Sequence, residues 1–165
     1  MVRHTLAAAA VLVCAVALAD APATFASRVP YPPLVDKLAA SGGDVARVLH
    51  PRAAADLAAL DSGKRYKLAV TADGRLAIAP MPADAPHNEY VHPILAGGAP
   101  VLTAGGITVE HAGGKIAKVT LDQDSKSYCP TLASLAAAER ALVRIGVPAA
   151  VVARHDQPPR CEPPR

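Results

Sequence analysis

Three side chains in this sequence are of types that move protons and stand out from their surroundings: His92, Tyr128 and Glu139. His92 opens the run His92-Pro93-Ile94-Leu95-Ala96-Gly97-Gly98, and Tyr128 sits between Ser127 and Cys129-Pro130. Glu139 lies in a helical segment. At about 100 degrees per residue it falls in the middle of an arc made by Leu132, Leu135, Ala136, Leu142 and Val143. A carboxylate on such a stripe needs a cationic partner, a helix rolled toward solvent, or a raised pKa that would suit an acid or base lining a cavity. If the three converge near the Ala96-Gly97-Gly98 turn, the chemistry on offer is hydrolysis or group transfer.

Other reactive residues point elsewhere. Beyond His92, the histidines His50, His87, His111 and His155 lack the i, i+4 helical spacing or paired-Cys context of a zinc site, so no metal is expected. His87 and His92 flank a predicted strand over Glu89 to His92, which puts them on opposite faces. The glycine pairs at 42–43, 97–98, 105–106 and 113–114 lack the context of a phosphate loop and read as turn and bulge glycines; no cofactor is implied. Ser125-Lys126-Ser127 has a lysine between two hydroxyls but lies in a polar bend, for which a solvated loop is the default reading. Cys129 and Cys161 read as one disulfide tying the proline-rich tail to the Tyr128-Cys129-Pro130 corner. The alternative, a Cys129 nucleophile, requires a free thiolate and an activating base.

The pairing of those cysteines presumes an oxidising compartment, and the N-terminus supplies the reason to expect one. Met1 to Ala19 has a basic start, an apolar run from Leu6 to Leu18 and a small-residue site before Asp20. That is the pattern of a secretory signal peptide, too short to span a membrane. A second site, Thr24-Phe25-Ala26, leaves the cleavage point open. The working protein is then secreted or periplasmic, with no membrane span after cleavage. The chain has 17 basic and 14 acidic residues, a formal charge of +3 that drops by one without Arg3. No basic run concentrates that charge, and Phe25 and four tyrosines are the only aromatic residues. Neither an electrostatic footprint nor stacking platforms for nucleic acid are present, so a protein or small-molecule partner is expected.

The elements that must position these residues follow from periodicity. Residues 20–33 form an extended leader rich in Ala, Pro and Ser. A single domain spans 34–156, and a proline-rich tail covers 157–165. Short helices are predicted around Leu34–Leu38, after the Asp44 cap, and from Pro51 to Gly63 with Leu57 and Leu60 facing inward. Two hairpins follow, one turning at Asp73-Gly74 and one at 111–114. Thr131 then caps a helix running to Ile145, and Ala149 to Ala153 reads as a last strand. This describes an α+β domain: a mainly antiparallel sheet of hairpins, short N-terminal helices, and one C-terminal helix packed on the sheet.

Read together, His92 to Val101, Ala104-Gly105-Gly106-Ile107, Gly114-Lys115-Ile116 and Ser125 to Pro130 resemble a module found in plant IQ-motif-containing calmodulin-binding proteins and in bacterial secreted, effector-like proteins. The resemblance covers His92 to Gly146. His92, Tyr128 and Pro130 match the module. Gly106 stands where it carries Glu or Arg, Lys126-Ser127 where it carries Gly-His, and Cys129 where it often carries Arg. The IQ motif itself has no counterpart here. If those polar groups perform chemistry in the family, the departures imply that this member has lost it.

The leading expectation is therefore a small exported binding or scaffold domain without catalysis. The rival is a secreted effector-type hydrolase or transferase with a site around His92 and Tyr128. A third reading is an accessory or immunity-type protein that blocks a partner enzyme.

Overall fold

In the computed structural model, residues 23–161 are described. The signal segment 1–19 and the first residues of the leader lie outside them. One mixed sheet organises the chain: β1 (Arg65–Thr71), β2 (Leu76–Pro82), β3 (Val101–Ala112), β4 (Lys115–Asp122) and β5 (Val152–His155), in the order β2-β1-β3-β4-β5. The first four strands pair antiparallel, and β5 pairs parallel to β4. Parallel neighbours need a crossover. It is supplied by the bend after Asp122 and by α3 (Ala136–Arg144). The fold class is α+β, as the alternation of hairpins and helices predicts.

Both faces of the sheet are covered. Tyr66, Leu68 and Val70 of β1 join Ile107, Val109, Val119 and Leu121 in a core closed by Leu57, Leu60 and the α3 residues Ala138, Ala141 and Leu142. On the other face the strands present Ala69, Ala77, Ala79 and Ala104, side chains short enough to let a second layer approach. That layer is α1 (Pro32–Ala40), α2 (His92–Leu95), Tyr90 and Tyr128. Burial of a large apolar side chain contributes about 1.5–3 kcal/mol, so Leu68, Ile78, Leu121 and Leu142, all essentially inaccessible, are main contributors.

Several elements differ from the sequence expectation, each for a physical reason. No strand forms over Glu89 to His92; Pro93 at the first turn suits a helix start, and His92 opens α2 instead. The last strand begins at Val152 rather than Ala149, because Pro148 leads into a 3-10 turn, Ala149–Val151. The predicted third N-terminal helix is a 3-10 helix, Ala54–Ala59, with Leu57 and Leu60 buried as expected. The leader is not free: Phe25 makes a two-way backbone bridge with Val101.

The C-terminal helix carries the largest correction. Thr131 does cap it, accepting from the Ser134 N–H, but Leu132–Leu135 wind as a 3-10 helix before α3 begins. About three residues per turn replace 3.6 there, so a wheel started at Leu132 loses phase. Leu132 and Val143 are exposed, and the buried stripe is Leu135, Ala138, Ala141 and Leu142. Glu139 accordingly sits at the edge of the core.

Gly105 and Gly106 are neither turn nor bulge glycines; they sit inside β3. A Cβ on Gly105 would lie 1.9 Å from the Asp122 carbonyl oxygen, where the chain leaves β4. Gly105→Ala is expected to destabilise the fold by about 1–3 kcal/mol through overpacking. Urea unfolding of the variant reads this directly, and an unchanged midpoint would show that the seam yields without strain.

Candidate functional site

Strand alternation puts Arg65 and Lys67 on the face opposite Tyr66 and Leu68, toward the second layer. The register then decides their neighbours: Lys67 lies opposite Gly106, and Gly106 opposite Asp122. With no side chain at Gly106, Arg65 and Asp122 meet over it. A Cβ there would sit 2.2 Å from Asp122 Oδ2 and 2.3 Å from Arg65 Nε. The space over Gly106 is thus filled by an ion pair from two other strands.

That pair is bidentate, with Arg65 Nε and Nη2 each 2.7 Å from a carboxylate oxygen of Asp122. Asp122 also accepts the backbone N–H groups of Gly106 and Asp124, both at 3.0 Å. Burial pushes its carboxyl up, but the Arg65 hydrogen bonds and charge and the two N–H donors outweigh that and hold it below the ordinary carboxylate value. Asp122→Ala would strand the buried Gly106 N–H and leave Arg65 without its partner. A loss of about 2 kcal/mol is expected, toward the middle of the range for an unsatisfied buried donor because Arg65 keeps some solvent. The measurement is chemical denaturation at neutral pH, and equal stability would mean that water replaces the carboxylate at no net cost.

Beside the pair opens a cleft of about 280 Å³, lined by Arg65, Lys67, Val91, His92, Asp124, Lys126 and Ser127. Three parts of the chain supply it: β1, the entry to α2 and the bend that follows β4. The Lys67 ammonium donates to the Asn88 carbonyl oxygen at 3.2 Å and has no carboxylate at ion-pair distance among the described residues. Burial pushes its pKa down, against the opposing charge of Glu89, and Arg65 adds a smaller downward effect.

His92 is 8% exposed, and its Nε2 lies 2.8 Å from the Gly105 carbonyl oxygen. A carbonyl only accepts, so Nε2 carries the proton. Burial, with Lys67 and Arg65 nearby, brings the imidazole down to about 4, against the smaller opposing effects of the Gly105 hydrogen bond and Asp122. The ring is neutral at pH 7, which leaves Nδ1 as an acceptor with no protein partner among the described residues.

The three singled-out residues do not form one constellation. Tyr128 is buried in the alanine-faced layer, where its hydroxyl donates to the Ala99 carbonyl at 2.8 Å and burial pushes it up to about 12. Glu139 lies beyond the opposite face. There Arg154 Nε and Nη2 each donate to one of its oxygens at 2.6 Å, and Arg154 first of all lowers its pKa. The structural ion pair expected as one reading of Glu139 is the arrangement found. Of the three, only His92 reaches the cleft.

Ser125-Lys126-Ser127 is more than a solvated bend. Ser125 is fully buried, and Lys126 and Ser127 form a wall of the cleft. The sulfurs of Cys129 and Cys161 lie 2.05 Å apart, at bonding distance. The tail they secure returns along this wall: Gln123 Nε2 donates to Asp156 at 2.6 Å and Gln157 Nε2 to Asp124 at 3.3 Å. Among the described residues, no group of three or more His, Cys, Asp or Glu could hold a metal ion, and no helix is long and apolar enough to cross a membrane.

Arg65, Lys67, Asp122 and Asp124 are the site residues that sequence reasoning missed. Arg65 and Lys67 alternate with apolar residues and look like the wet side of a hairpin. The available signal was the acidic run Asp122-Gln123-Asp124 closing one strand while Arg65 opens another. Compared with protein-family models, curated proteins and solved structures, the chain matches none.

Proposed function

We propose that this protein is a small exported domain that binds a small ligand in the cleft beside His92 and does not transform it. The observation that carries this reading is Lys67: a largely buried ammonium whose partner is one carbonyl oxygen, set at the wall of a cavity. A cation drawn out of water with no carboxylate in ion-pair contact is a site for a ligand to complete. Catalysis has less support. An imidazole held near 4 is a weak base at neutral pH, Tyr128 is committed to Ala99, and Glu139 serves Arg154 across the sheet. The disulfide suits a protein that works outside the reducing cytosol, as the signal-like N-terminus suggests.

The test is a set of amide NMR spectra recorded with mixtures of anionic, neutral and cationic metabolites, scanned in parallel for turnover of ester and amide substrates. Shifts concentrated at residues 65, 67, 92, 124, 126 and 127, with no turnover, are expected. Turnover abolished by His92→Gln would replace binding with catalysis, and shifts confined to other surfaces would remove the cleft from consideration.

A further inference from the structure

The cleft also has a charge and a hydrogen-bond polarity, and these constrain its ligand. Arg65, Lys67 and Lys126 face it against the single carboxylate of Asp124. Asp122, behind Arg65, offsets one more positive charge. Glu89, the carboxylate whose charge acts on Lys67, is bonded to Lys37 at 2.8 Å. A single positive charge remains, and the least satisfied cation is Lys67. Lys126 makes no ion pair among the described residues. The Ser127 hydroxyl has no protein partner among them either, so it is available as a donor. These groups favour an oxyanion.

His92 adds a demand of the opposite kind. Its Nε2 is held by the Gly105 carbonyl, so the free nitrogen of this cleft-lining ring, Nδ1, is an acceptor. A bare carboxylate has no proton to give it; a ligand with a hydroxyl next to its charge does. The volume of about 280 Å³ lies just below the range of small-molecule cavities, about 300 to 1,000 Å³, so the ligand must be small.

Resting on the binding reading above, we infer that the cleft takes a small monoanionic oxyanion carrying its own hydroxyl, with Lys67, Lys126 and Ser127 on the anion and His92 Nδ1 accepting from the hydroxyl. Two sources share this chemistry: a 2-hydroxycarboxylate and a singly protonated phosphate group.

The test titrates the full-length chain, observed by amide NMR, with lactate, inorganic phosphate, propionate and lactamide. Lactate or phosphate is expected to shift the cleft amides, and whichever binds identifies the source. Propionate, which lacks the hydroxyl, is expected to bind about tenfold more weakly than lactate, and lactamide, which lacks the charge, not to bind. Lys67→Met should weaken binding at least tenfold. Lys126→Ala, at an exposed position that does not threaten folding, should weaken it severalfold. Equal affinity for propionate and lactate overturns the hydroxyl assignment, and binding of lactamide as tight as that of lactate overturns the oxyanion assignment, while both leave the cleft as a binding site. If these probes leave the cleft amides unmoved but the metabolite mixtures shift them, the ligand class fails alone. If neither set moves them, the binding reading fails with it.

Discussion

Reduction of the Cys129–Cys161 bond, or Cys161→Ser, is expected to lower the unfolding free energy by roughly 3–4 kcal/mol, the chain-entropy value for a sequence separation of 32. The effect acts chiefly on the unfolded chain, which gains the freedom that the crosslink denies it. It also has a local consequence. Without the bond, the tail residues Asp156 and Gln157 are held to Gln123 and Asp124 by hydrogen bonds alone. Those bonds are partly exposed and compete with water, so the tail should fray before the sheet opens. Hydrogen exchange with and without reductant separates the two effects: early exchange at 156–161 marks fraying, and the global limit reports the entropy term. A stability change below about 1 kcal/mol would mean that the unfolded chain is already compact around this loop.

The second expectation concerns pH and depends on His92. In the unfolded chain its imidazole titrates near 6.5, whereas in the fold it does so at about 4. Between those values the unfolded state binds a proton that the native state refuses. The His92 contribution is therefore fully present above about pH 6.5 and is lost as pH falls toward 4, a change of about 3 kcal/mol. Asp122 works in a lower window. Its depressed carboxyl stabilises the fold above its ordinary value near 3.8, and that stability is lost as pH falls further. The two slopes follow one another as acid is added. His92→Gln retains a donor for the Gly105 carbonyl and removes the titration. Its stability should hold nearly flat from pH 6.5 to 4.5, where the parent declines. Parallel curves for the two proteins would show that His92 is not the group responsible.

The two hairpins were legible because their signals are local. Alternation from Tyr66 to Val70, the Asp73-Gly74 turn and the glycine turn at 113–114 need no knowledge of the rest of the chain. The site was not legible, because it depends on register. Arg65 meets Asp122 because β1 and β4 both pair with β3 on either side of Gly106, and a one-residue slip would send both charges to the other face. Glu139 was misplaced for a different reason. A short 3-10 lead-in shifts the phase of the helix after it, and residue type does not mark where one winding gives way to the other. Lys67 escaped notice because the sequence does not show that a second layer covers that face. Only the alanines at 69, 77, 79 and 104 hint that something approaches closely enough to need small neighbours.

The parallel pairing of β5 with β4 also fixes an order of events. Both hairpins close from neighbouring segments and can form as soon as their residues are available. β5 cannot dock until the bend has turned and α3 has crossed back over the sheet, because parallel strands leave no shorter path. Cys161, six residues beyond the end of β5, is joined to Cys129, which lies at the start of that crossover. The bond thus closes the crossover and β5 into one covalent ring, so the last strand cannot drift far from the sheet even when its hydrogen bonds open.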